Sequence, residues 1–184
     1  MGQKAQLREP IQATVCEVLK SPERFDSKIV SVRGRVEIDF EHFKLAAECE
    51  GTDGGLWLEY GRGPKQPTIW CCGDLASRDP MKLVQNKEFQ RFNRYLTAQR
   101  KVDGCKVVSC YLYDVTATLV GRLDSVPTVP CPAAAEFQCP KDGGFGHFGL
   151  FPVRLLILSV SDVVVMPRSP RNREEQLMGG AAEG

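Results

Sequence analysis

From position 29 to 39 the chain alternates without error. Val30, Val32, Gly34, Val36 and Ile38 fall on one side, and Ser31, Arg33, Arg35, Glu37 and Asp39 on the other. Successive side chains of a strand point to opposite faces, so the segment predicts a β-strand with one buried and one wet face. The pattern returns at 115–124, where Val115, Ala117, Leu119, Gly121 and Leu123 oppose Thr116, Thr118, Val120, Arg122 and Asp124. Each run carries a Gly-Arg pair, Gly34-Arg35 and Gly121-Arg122, with the glycine on the apolar side. A missing side chain there marks a sharp bend or the close approach of another backbone.

Shorter patterns complete the sequence of elements. Val15, Val18 and Leu19 have helical spacing, and Ser21-Pro22 breaks the run, predicting a short helix within 14–25. Phe43, Leu45 and Ala47 alternate as a second strand in hairpin with the first. Leu56, Leu58 and Tyr60, alternating with Trp57 and Glu59, form a third. A long helix is expected over 80–101, opened by Pro80, with Met81, Val84, Phe89, Phe92, Tyr95 and Leu96 sharing an apolar stripe. A fourth strand covers 111–124 and a fifth 153–165, the latter buried on both faces at Leu155–Leu158. Pro and Gly punctuate two irregular insertions, at about 61–106 (which carries the long helix) and 125–148.

Five strands with a helix between the third and fourth predict a mainly β fold. The architecture expected is a five-stranded OB-like Greek-key barrel, since that helix position is typical of it. Residues 14–166 form this single domain, 1–13 are an N-terminal extension, and 167–184, rich in Arg, Pro, Gly, Ala and Glu, are expected to be a disordered tail.

Two stretches carry a family likeness. The run from Cys16 to Val36, CEVLKSPERFDSKIVSVRGRV, and the closing segments GHFGLF from Gly146 and RLLILSVSDVV from Arg154 resemble small, largely uncharacterised bacterial OB-fold-like proteins, often exported. The shared opening is a short helix, an aromatic, a turn with Lys, then V-x-V-x-G-x-V. The resemblance spans the barrel strands and leaves both insertions unexplained. It implies the fold and an exported location, and it brings no catalytic residues.

Composition sharpens the compartment. Of 184 residues, 42% are hydrophobic and 26% charged, ordinary for a globular chain, and the net charge of +1 supplies no global attraction to polyanions. The longest apolar run, near 155–165, is interrupted by Ser159, Ser161 and Asp162 and falls short of the about 20 residues that a spanning helix needs, so no membrane span is expected. Residues 1–12 lack the apolar core of a signal peptide, leaving a cytoplasmic protein or a mature form without its leader. Eight cysteines, even in number and nearly all in connections, favour the second and place the chain in the periplasm or outside the cell. Cys49, Cys71, Cys72, Cys105, Cys110, Cys131 and Cys139 are the disulfide candidates, with Cys131–Cys139 a plausible short-range pair.

Candidate chemistry is sparse. Gly144, Gly146 and Gly149 match G-x-G-x-x-G, but a Pro/Gly loop precedes them and a strand follows, so no phosphate meets a helix N-terminus and no cofactor is expected. A tight loop with Phe145, Phe148 and Phe151 capping the barrel end is the better reading. His147 with Cys131 and Cys139 lacks a short chelating pair, so no metal is expected. The domain therefore reads as non-enzymatic, a binding or structural unit for a protein, oligonucleotide or oligosaccharide. The binding candidates are Arg33 and Arg35 on the wet strand face, Trp57 on the outer side of its strand, and Lys87, Arg91 and Arg94 on a helix whose segment, 80–106, carries a net +5. The alternative is a cytosolic OB module binding single-stranded nucleic acid through the same residues.

Overall fold

The computed structural model describes residues 9–39, 42–49, 54–64, 79–98, 111–130, 138–141 and 143–168. The alternating segments become β2 (Ile29–Ile38) and β5 (Tyr113–Ser125), which pair antiparallel from Ile29↔Arg122 to Val36↔Val115. β2 continues into an antiparallel hairpin with β3 (Phe43–Ala46), and β3 pairs antiparallel with β4 (Gly55–Tyr60). The last strand, β8 (Val153–Pro167), lies parallel to β4 and antiparallel to β5. The order β2-β3-β4-β8-β5 thus returns to β2 and closes a five-stranded barrel, OB-like in its strand order.

The alternation decides what is inside. Val30, Val32, Val36, Leu45, Leu56, Leu58, Val115, Leu119, Leu123, Leu155 and Ile157 are buried in one core. Both notched glycines have structural causes, but different ones. A Cβ on Gly34 would sit 3.0–3.4 Å from the Leu45 side chain inside the barrel. One on Gly121 would lie 2.2 Å from the Leu156 carbonyl oxygen, beside the register shift at Val120/Gly121. The first glycine makes room for a side chain; the second makes room for a backbone.

The helical segments are shorter than their patterns. α1 (Val15–Lys20) is opened by a capping box: the Glu17 amide donates to the Thr14 hydroxyl at 3.1 Å, and the Thr14 amide donates to the Glu17 carboxylate at 2.8 Å. A 3-10 turn at Pro22–Arg24 follows. The helix expected over 80–101 begins only at Lys87: α2 spans Lys87–Leu96. The Asn86 side chain accepts from the Phe89 amide at 2.9 Å and so fixes the start. The preceding residues are extended instead, because Met81 and Leu83 pair with Arg62 and the Val84 amide donates to the Leu158 carbonyl. Phe89, Phe92 and Leu96 are buried, while Val84 remains exposed. α2 packs on β5 and β8, with Tyr60 between Phe43 and Phe89 at ring distances of 5.3 Å and its hydroxyl donating to Asn93 Oδ1 at 3.1 Å.

Three strands lie where none was expected. β1 (Ile11–Ala13), inside the predicted extension, pairs parallel with β2 from Ile11↔Val30 to Ala13↔Val32. β6 (Thr128–Pro130) and β7 (Gln138–Pro140) make a small hairpin within the second insertion. Strand β8 also runs on to Pro167, where the tail was placed, and Arg168 still pairs with Asp114 at 2.8 Å.

Cys16, the one cysteine read as helical and left out of the disulfide candidates, is bonded to Cys49 across 33 residues. Cys139 is also disulfide-bonded. The candidates Cys71, Cys72, Cys105, Cys110 and Cys131 lie outside the described residues. No helix among the described residues is long and apolar enough to cross a membrane.

Candidate functional site

The outer face of β2 forms the floor of an open groove of about 610 Å³. Ser31, Arg33, Thr118 and Val120 line its base, because β2 and β5 put Ser31 opposite Val120 and Arg33 opposite Thr118. One wall is Gln12–Thr14 with Glu17, set in place by the parallel pairing of β1 and the capped first turn of α1. The other wall is Ser161 and Asp162 of β8. Between the pairs Thr116↔Val164 and Thr118↔Ser161, β8 carries one extra residue. Such a bulge re-aims side chains. Val163 stays buried and Asp162 stands exposed with a left-handed backbone, φ 49°.

Arg33 spans this groove. Its Nη1 donates to Thr118 Oγ1 at 3.2 Å and to the Asp162 carbonyl at 3.0 Å. Among the described residues no acceptor meets its Nε or Nη2 in a side-chain bond. Ser161 Oγ donates to Asp162 Oδ2 at 3.2 Å. The charges that line the groove are one guanidinium against the carboxylates of Glu17 and Asp162.

The other candidates are elsewhere. Arg35 is turned to Glu37 at 2.6 Å and Glu48 at 3.6 Å, and Lys44 reaches Glu37 at 3.2 Å, so its charge is answered locally. Trp57 does lie on the outer side of β4, opposite Leu56 and Leu58, but it is only 6% exposed. The loop 143–151 covers it: Phe151 packs on the indole at 5.2 Å, and a Cβ on Gly146 would be 2.5 Å from the ring. Lys87, Arg91 and Arg94 are exposed along α2, with Arg94 stacked over Tyr95 at 4.9 Å. Of these candidates Arg33 alone lines the groove.

That covering loop is the G-x-G-x-x-G segment. It folds tightly, with Phe145 and Phe151 bonded in both directions across the turn and left-handed backbone at Gly146, Phe148 and Gly149. It lies over the β4 outer face instead of the barrel end. Phe151 faces Trp57 and Phe145 lies over Arg154 at 4.7 Å, whereas Phe148 is 84% exposed. In OB barrels the face of the second and third strands is the usual ligand surface. Here the chain's own residues sit on it.

An ion network anchors this side. Arg122 bonds Asp124 and Asp79, and Arg154 bonds Asp124 and Glu59, joining β4, β5, β8 and the segment before α2. Burial works to raise the Asp124 carboxyl, but the hydrogen bonds from Arg122 and Arg154 outweigh it and hold it below its ordinary value. Asp79 is lowered against burial in the same way by the Met81 amide and Arg122. Each charge is met by its opposite, which makes the network a seam between elements.

The metal reading fails at Cys139, because a disulfide sulfur is not a thiolate ligand; Cys131 and the His147 side chain lie outside the described residues. Compared with known proteins, the chain matches no family model, no curated protein and no solved structure.

Proposed function

We propose that this chain is a disulfide-stapled OB-like binding module working outside the reducing cytosol, periplasmic or secreted, that holds its ligand in the groove around Arg33. Each cysteine among the described residues is bridged, and that observation carries the compartment. The Cys16–Cys49 bond ties α1, whose first turn supplies Glu17 to the groove wall, to the chain just after β3. The resemblance to small exported bacterial OB-like proteins points the same way. The reading is of recognition without catalysis: the groove offers an array of hydrogen-bonding side chains on an open floor.

The nucleic-acid alternative asks for a basic track with exposed rings. The ring it would use, Trp57, is covered, and the groove around Arg33 is not basic. Thiol titration of denatured, unreduced protein isolated from its own compartment tests the proposal. Few free thiols are expected; eight would sink it. Salt-sensitive binding of a labelled single strand would favour the alternative.

A further inference from the structure

We infer that the groove takes an uncharged polyhydroxyl chain, an oligosaccharide, laid over the outer face of β2 and β5. This rests on the binding-module reading and goes further by naming the ligand chemistry. A sugar hydroxyl donates one hydrogen bond and accepts two, so its partner must offer both kinds of group side by side. The groove does so. Arg33 supplies pure donors at Nε and Nη2, Asp162 and Glu17 supply pure acceptors, and Ser31, Thr118 and Gln12 can do either.

Three competing ligand chemistries fit less well. A polyanion would meet two carboxylates for one guanidinium, and no aromatic ring lines the groove to stack a base. A peptide added as an extra strand needs an open edge of unpaired backbone. The floor has none, because Val30–Val32 of β2 lies between β1 and β5, and Thr118 of β5 lies between β2 and β8. A small enclosed ligand would need a deeper cavity: the walls stand three strand spacings apart, about 14 Å, across an open floor. A chain of sugar rings suits that width. The left-handed Asp162 serves the same arrangement, since the bulge is what places its carbonyl against Arg33 on the floor.

The test is an amide-shift titration of isotope-labelled, oxidised protein with cello-, malto-, manno- and chitohexaose, beside hexagalacturonate, decathymidylate and a neutral decapeptide. At least one neutral hexasaccharide should bind saturably and move the amides of Ser31, Arg33, Thr118 and Ser161. Arg33→Ala and Asp162→Asn should each weaken it at least tenfold while the melting curve is kept, since Arg33 is exposed and Asn tolerates the left-handed backbone. Shifts confined to α2 or to the 143–151 loop would overturn the groove as the sugar site. Binding of decathymidylate or the decapeptide at the groove, with no neutral hexasaccharide bound, would overturn the ligand class while leaving the binding module standing. No binding by any probe would overturn the groove as a ligand site and the sugar reading with it, and eight free thiols in the separate thiol titration would overturn the compartment.

Discussion

The two Gly-Arg pairs look alike in sequence, and the structure predicts that they respond very differently to one added methyl group. In Gly34→Ala the new Cβ meets only the Leu45 side chain, at 3.0–3.4 Å. A rotamer adjustment of a few tenths of an ångström relieves that contact. The gain from a less flexible unfolded chain, about 0.4–1 kcal/mol, offsets much of the strain. The net change should stay within about 1 kcal/mol. In Gly121→Ala the Cβ meets the Leu156 carbonyl oxygen at 2.2 Å and its carbon at 2.8 Å. Backbone must move by about 1 Å, at a bulge where β5 and β8 already change register. Losing one or two ladder hydrogen bonds and repacking Leu155, 3.1 Å away, should cost about 3 kcal/mol before the same entropic gain. A net loss of 2–3 kcal/mol corresponds to a fall of about 4–12 °C in Tm for a chain of this size. Urea unfolding of both oxidised variants, followed by far-ultraviolet dichroism, measures the difference. Equal losses, or a larger loss at position 34, would refute the claim that Gly121 is reserved for backbone contact.

Removing the Cys16–Cys49 bond by the double change Cys16→Ala, Cys49→Ala should cost about 3–4 kcal/mol on the chain-entropy account for a separation of 33 residues, read from urea midpoints with the other bridges intact. Asp124 and Asp79 are held below their ordinary values in the folded state, so their contribution is present above the unfolded carboxyl pKa of about 3.9 and is lost as pH falls through the folded value. Asp124→Asn should therefore lower stability at pH 7 and flatten the acid limb of a stability-versus-pH curve measured between pH 7 and pH 2. Gly146→Ala, tested in a Trp70→Phe background, should push the 143–151 loop off the indole; the expected readouts are red-shifted Trp57 emission and stronger acrylamide quenching.

The barrel was legible because its strands are half-buried and alternate. A strand with one wet face writes its orientation into every second residue, and Val30–Ile38 and Val115–Leu123 do so in full. The elements that escaped have other causes. β1 is three residues long and pairs with a strand some twenty positions away, so Ile11-Gln12-Ala13 carries no period to count. The start of α2 followed the Asn86 side chain and the tertiary pairing of residues 81–84, which outweighed the apolar spacing that had included Met81 and Val84. Cys16 lies in a helical pattern, where sequence alone names no bridging partner. Its exposure toward Cys49 depends on how α1 settles against the barrel, and that is a long-range fact.

The candidate site divides along the same line. Arg33 was visible because it lies on the wet side of a strand, yet its partners Thr118 and Asp162, and the wall supplied by residues 12–17, are brought to it by the closure of the barrel. The one local signal for the far wall was the break in the apolar run at Ser159, Ser161 and Asp162. A polar interruption in a strand that is otherwise buried costs burial energy, and a bulge that turns the extra residue outward removes that cost. Trp57 shows the converse. Its side of β4 followed from alternation, but whether the ring meets solvent was decided by Gly146 and Phe151, some ninety residues downstream. On the proposed reading, covering that face leaves recognition to β2 and β5, where the floor is paired on both edges and only side chains remain to make contacts. A site of that kind selects ligands by matching hydroxyls, not by extending the sheet, which is why the choice of sugar chain over peptide follows from the strand pairing and not from the composition of the groove alone.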